Sequence, residues 1–195
     1  MKILIFFFSL IYGQYLLAAS TDLLNIEHQI RLCDDKQTIL DKIKNDPWSS
    51  SFNSNSYKVY YIDTANRDFE KNQWSIRARI KKNKTEITVK KKFPNIPSKQ
   101  NIPPEMICEF DLHGSVKEYS CKINSDIANS DFENIIKKQT NLLDVLDSSQ
   151  VKFLKDNNLN LKDILVYGTL INVRLQWNHP QFGTITLDLV ELNGK

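Results

Sequence analysis

The sequence predicts an α+β domain built around an antiparallel sheet, and three observations carry that expectation. Segments 26–32, 57–63, 74–80, 85–92, 106–112, 116–123, 171–177 and 184–189 alternate apolar and polar residues with the two-residue period of strands. Several of these segments are separated by turn-length connections, as hairpin partners are. The few helical patterns stand apart from the strands instead of alternating with them, which argues against a parallel βαβ arrangement.

In chain order, the first segment is a targeting signal rather than part of the domain. Lys2 precedes an apolar run from Ile3 to Leu17, and the small residues Ala18, Ala19 and Ser20 follow. A basic start, a short apolar core and a small-residue cleavage site are the parts of a secretory signal peptide. Cleavage fits equally after Ala19 or Ser20. The run is shorter than the ~20 apolar residues of a membrane span. The expectation is therefore a signal peptide over 1–19 and one domain over 20–195, located outside the cytoplasm with no stable membrane insertion after cleavage. An uncleaved anchor is the alternative.

The formal charge of the whole chain is +3, too small for nucleic-acid binding by bulk electrostatics. The basic residues cluster instead between Arg77 and Lys92. Lys81, Lys82 and Lys84 read as a solvated hairpin tip. Asn83-Lys84-Thr85 at this tip is also a glycosylation sequon, which carries meaning only in a eukaryotic secretory pathway.

Helical patterns cover 35–44, with Ile39, Leu40 and Ile43 on one face and Asp46-Pro47 as the stop. A second begins at Ser130, where Ser130 and Glu133 fit a capping box, and is expected to carry Ile135, Ile136, Leu142, Leu143 and Leu146. A third, short one covers 151–155. Long loops are expected over 49–56 and 94–104.

Three cysteines in an oxidising compartment suggest one disulfide and one spare thiol. Gly114-Ser115 suits a two-residue hairpin turn. In that register Cys108 faces Cys121 and Phe110 faces Tyr119, so a Cys108–Cys121 disulfide is expected.

The polar faces of the strands hold the candidate chemistry. Glu27, Gln29 and Arg31 share one side of the first strand; Arg77 and Arg79 share one side of another, beside Glu86, Thr88 and Lys90. Glu109, Asp111 and Glu118 gather on the Gly114 hairpin, and Asn172, Arg174, Gln176, Thr186 and Asp188 complete the set. Arg suits planar recognition of phosphate or carboxylate, and clustered carboxylates suit Mg²⁺ or Mn²⁺. A merely wet sheet face is the plain alternative. No zinc-ligand spacing, P-loop or dinucleotide fingerprint is present.

The order Glu27-x-Gln29-x-Arg31, Tyr61-Ile62-Asp63-Thr64, Trp74-Ser75-Ile76-Arg77-Ala78-Arg79, Thr88-Val89-Lys90 and Glu109-Phe110-Asp111 resembles the CYTH, or triphosphate tunnel metalloenzyme, superfamily. The resemblance implies an eight-stranded antiparallel β-tunnel with a few flanking helices and a charged interior that binds a polyphosphate-type anion. It further implies phosphate contacts from Arg31, Arg77, Arg79, Lys90 and Arg174, and a Mg²⁺ or Mn²⁺ held by Glu27, Glu109 and Asp111, with Asp188 a weaker candidate. Metal-dependent triphosphate hydrolysis is one expectation. Gln29 stands where the family has a second carboxylate, so binding without turnover, of a phosphorylated or other anionic ligand, is the alternative. An extracytoplasmic β-barrel carrier is a third reading.

Overall fold

The computed structural model describes residues 25–28, 36–45, 52–95, 105–113, 116–157, 159, 161, 163–180 and 183–192. Seven of the alternating segments form strands, and so do residues 26–28 of the first, whose remaining residues 29–32 lie outside the described residues: β1 (Asn25–His28), β2 (Asn53–Thr64), β3 (Trp74–Ile80), β4 (Thr85–Phe93), β5 (Ile107–His113), β6 (Val116–Ile127), β7 (Ile164–His179) and β8 (Gly183–Leu192). They assemble in the order β1-β5-β6-β4-β3-β2-β7-β8. The helices are α1 (Lys36–Lys44), α2 (Asp68–Lys71), α3 (Asn129–Ile136) and α4 (Ser148–Asp156).

The expected eight-stranded antiparallel tunnel needs correction. Seven strands, β2 to β8, form the antiparallel sheet. The four-residue β1 joins the β5 edge in parallel. No pairing among the described residues joins β1 to β8, so the sheet is an open half-barrel and not a closed tube. Its curl is visible in the electrostatics. Arg79 on β3 interacts with Arg174 on β7 and Asp188 on β8, although a flat sheet would put β3 and β8 about 14 Å apart. The polar face is thus the inner one.

The outer face is apolar and holds the core. Ile76, Ala78, Ile87, Val89 and Ile123 bury their side chains under Phe132 of α3 and Phe153 and Leu154 of α4. Aromatic contacts tie the layers together: Tyr60 meets Phe132 edge-on at 5.2 Å, and Trp74 meets Phe153 at 4.9 Å. Gln150, fully buried on α4, donates to the main-chain carbonyls of Ile87 (3.0 Å) and Ile123 (3.1 Å). A smaller cluster of Leu175, Trp177 and Leu189 packs with Leu40 of α1, the face the sequence pattern assigned.

Four local expectations change. The helix after β6 starts at Asn129 with Ala128 at its N-cap and no side-chain cap, so Ser130 and Glu133 form no capping box. Leu142 and Leu143 belong to a separate 3-10 turn (Leu142–Asp144), which Asn141 caps by accepting from the Leu143 N–H. The capping box is instead at α4, where Asp147 and Gln150 satisfy each other's main-chain N–H groups. Asn53 to Ser56, expected as loop, pair with Val173 to Gln176, ladder hydrogen bonds outweighing turn-like composition.

Asp63 and Thr64 of the Tyr61-Ile62-Asp63-Thr64 motif organise the end of β2. The buried Asp63 carboxylate accepts from the N–H groups of Thr64 (2.7 Å), Phe69 (2.9 Å) and Glu70 (3.1 Å). That charge-assisted cap anchors α2, which the sequence pattern missed because it spans only four residues. Cys108 and Cys121 are directly opposed on β5 and β6 and form a disulfide, and Phe110 stacks on Tyr119 at 4.7 Å.

Candidate anion site on the inner face

Strand alternation delivers the polar residues to one surface. Across β2, β3 and β4, Arg77 opposes Tyr61 and Thr88, while Arg79 opposes Val59 and Glu86. Across β7 and β8, Arg174 opposes Asp188. The curl brings Arg79 within electrostatic range of both Arg77 and Arg174.

Arg79 is its most constrained member. Its side chain is 12% exposed, Nη1 donates to Glu86 Oε1 at 3.1 Å, and the guanidinium lies 5.3 Å from the Tyr57 ring centroid. Nε is buried without a hydrogen-bond partner among the described residues. Burial, followed by the positive charges of Arg77 and Arg174, pushes the guanidinium below its ordinary pKa; Glu86 and Asp188 oppose this only in part. Glu86 is itself shared with Lys81 at 2.6 Å. Arg77 has no ion-pair or hydrogen-bond partner among the described residues. Arg174 binds Asp188 in a fork, Nε to Oδ1 at 2.7 Å and Nη2 to Oδ2 at 2.6 Å. Burial raises the Asp188 carboxyl, but the hydrogen bond and charge of Arg174 outweigh it and leave its pKa lowered.

The acidic hairpin is neutralised from within. Lys122 Nζ lies 2.7 Å from both oxygens of Glu109. Lys90 Nζ bridges Glu109 Oε1 at 3.2 Å and Asp111 Oδ2 at 3.1 Å. Burial raises the Glu109 carboxyl, yet Lys122 and Lys90 together bring it below the ordinary value. Lys92 pairs with Glu118 at 2.8 Å.

These contacts decide the fit of a divalent cation. Asp111 Oδ1 is buried without a hydrogen-bond partner among the described residues, but the other three oxygens of Glu109 and Asp111 face lysine ammoniums. No group of three or more candidate ligands occurs among the described residues. The described carboxylates therefore do not fit Mg²⁺ or Mn²⁺, which need several free oxygen donors. Of the expected ligands, Glu27 is placed only by its main chain, opposite Asp111 in the β1–β5 register; its side chain and all of Arg31 lie outside the described residues. Lys90, expected at phosphate, instead contacts carboxylates. Lys122 was not singled out in the sequence, although it shares the parity of Glu118 and Ser120 on β6 and could have been found by it.

A cleft of about 630 Å³ opens at one end of this face, lined by Tyr61, Arg67, Ser75, Lys90, Tyr167 and Gly168 among others.

No family model and no curated protein matches the chain. Several solved structures match the chain, and two of them are described. A protein from Bacillus halodurans assigned as an adenylate cyclase superposes with a TM-score of 0.54 at 14% identity, over 82% of this chain and 68% of its own. A protein from Hippeastrum assigned as an adenylyl cyclase, with triphosphatase given as its dominant activity, superposes with a TM-score of 0.55 at 13% identity; 77% of this chain is covered, and just under two thirds, 66%, of the other. At such identities the likeness is one of fold, and this chain has the CYTH-like curled-sheet fold that its motif order resembles.

Proposed function

We propose that the inner face binds a polyphosphate-type anion through Arg77, Arg79 and Arg174. One observation carries this reading: Arg79 lies within electrostatic range of Arg77 and Arg174 on a half-buried surface whose carboxylates offset the positive charge only in part, and its Nε has no hydrogen-bond partner among the described residues. A buried donor without a partner costs about 1–3 kcal/mol. An anion with several oxygens would satisfy that donor and relieve the repulsion among the three arginines together. The triphosphatase activity named for the Hippeastrum protein agrees with this ligand class.

The chain's own residues hold and orient the anion. Arg77 has no donor engaged among the described residues, Arg79 is fixed by Glu86 and Tyr57, and Asp188 fixes the plane of Arg174. Lys90 and Lys122 occupy the carboxylates that would hold a metal, so the site binds without turnover. Export is part of the proposal. The signal-peptide pattern of residues 1–19 supports it, and so does the disulfide, since such bonds persist in oxidising compartments.

The test is thermal stability in a series of phosphate, pyrophosphate and inorganic triphosphate at fixed ionic strength. Stabilisation should rise with phosphate number, reaching about 2.7 kcal/mol at a hundred times Kd. A flat series would remove the proposal.

A further inference from the structure

We propose that the outer edge of β8 is an interaction surface whose partner is the β8 of a second copy of this chain, the two strands running antiparallel about a two-fold axis at Leu187. The proposal stands apart from the anion site.

β8 ends the strand order, so the ladder groups that point away from β7 meet no described strand. Edge strands are ordinarily blunted by lysine, proline, a bulge or shortness. β8 has ten residues and carries neither lysine nor proline. Its register with β7 runs without a shift from His179 opposite Gly183 to Leu170 opposite Leu192. The bulge in β7 lies on the other side of that strand, toward β2, where Tyr61 pairs with Gly168, Ile62 pairs with Val166 and Tyr167 is left over. The other end of the sheet is protected by contrast, because β1 is only four residues long and joins β5 there in parallel. β1 is thus committed to the far edge. Val190 on β8 is 53% exposed, and Ile185 and Leu187 are only partly buried against Leu175 and Trp177.

The residues of β8 match themselves. Alternation sends Ile185, Leu187 and Leu189 to the apolar outer face, and Thr184, Thr186, Asp188 and Val190 to the inner one. A two-fold axis perpendicular to the sheet sets each row beside its own kind. With the axis at Leu187, Leu187 meets its own copy, Ile185 meets Leu189 and Thr186 meets Asp188. The apolar row then continues from one copy into the next, and no like charges are opposed across the seam. An axis at Asp188 would set two carboxylates against each other, and one at Thr186 would shorten the shared ladder. Arg174 already holds Asp188 in a fork, so the seam gathers no free acid. The chain's net charge of +3 opposes association only weakly. A shared ladder about 30 Å long makes a small interface, of the weak and reversible class.

Sedimentation of the chain between about 1 and 200 µM should show a monomer–dimer equilibrium with a Kd on the order of 10 µM. Leu187→Lys and Leu187→Glu each put like charges on the axis and should weaken the dimer at least about tenfold. An equimolar mixture of the two should associate again, which a mere loss of folding would not produce. In a Cys33→Ser background, Leu187→Cys should form an interchain disulfide on mild oxidation. Val190→Cys should not, because the two copies of residue 190 stand about 20 Å apart in this register. A monomer over the whole range, whether the edge stays open or another segment of the chain covers it, would overturn the proposal. So would a dimer indifferent to both charges, or one linked through Val190→Cys in place of Leu187→Cys.

Discussion

Replacing Lys122 with Met removes one ammonium from the inner face and keeps the length of the side chain. Lys122 and Glu109 are only 19% and 10% exposed, so the carboxylate loses a partner that water cannot fully replace. Breaking a fully buried pair costs about 3–5 kcal/mol, and an exposed one about 0–1 kcal/mol. Lys90 stays 3.2 Å from Glu109 and softens the loss, so about 2 kcal/mol is expected near neutral pH. At an m-value of about 2 kcal/mol per molar, the urea midpoint should fall by about 1 M. The pH dependence gives a second reading of the same pair. Burial alone would raise the Glu109 carboxyl, but the lysines depress it below its ordinary 4.5. A depressed folded-state pKa contributes stability that is present above the unfolded value and lost as pH falls through the folded one. The gap between native and variant chains should thus be full near pH 7 and close as pH drops well below 4.5. Urea melts at neutral and acidic pH measure both quantities. Equal stability near pH 7, or a gap that persists in acid, would refute the ion-pair account.

Gln150→Leu should cost about 1–3 kcal/mol in the same assay, because it removes two buried hydrogen bonds to the carbonyls of Ile87 and Ile123; a loss below about 0.5 kcal/mol would contradict this. Peptide mapping without reductant should recover Cys108 linked to Cys121, and Cys108→Ala with Cys121→Ala should cost about 2–3 kcal/mol. Recovery of Cys33 in the bridge would show a different pairing. Added Mg²⁺ or Mn²⁺ should give no phosphate release from inorganic triphosphate above the metal-only control. Metal-dependent release would show that the lysines yield the carboxylates.

Much of this arrangement was legible because strand alternation is a local property. Seven alternating segments became strands, as did the described start of the eighth, residues 26–28, and the parity of Arg77, Arg79 and Arg174 put them on one face before any strand order was known. The Gly114-Ser115 turn set the register that opposes Cys108 to Cys121. Long-range geometry was less legible. Closure was expected from resemblance, yet β1 runs parallel to β5, and nothing in Asn25 to His28 indicates which edge it joins. The pairing of Lys122 with Glu109 depends on a cross-strand distance that parity permits but does not fix. The bulge at Tyr167 has no composition signal, since Tyr, Gly and Thr suit regular and bulged strands alike. Short elements such as α2 depend on one capping carboxylate, Asp63, rather than on a periodic pattern.

The most direct test of the anion site is calorimetric titration of inorganic triphosphate into the chain in EDTA, beside Arg77→Ala with Arg79→Ala. Arg77 is half-buried and Arg79 nearly buried, so the variant's urea melt must first show that it folds. The account predicts metal-independent binding, weakened by salt, that the double variant reduces by at least about a hundredfold, two charge-assisted contacts at about 1.5 kcal/mol each. Absent binding, or an affinity that the double variant leaves unchanged, would contradict it.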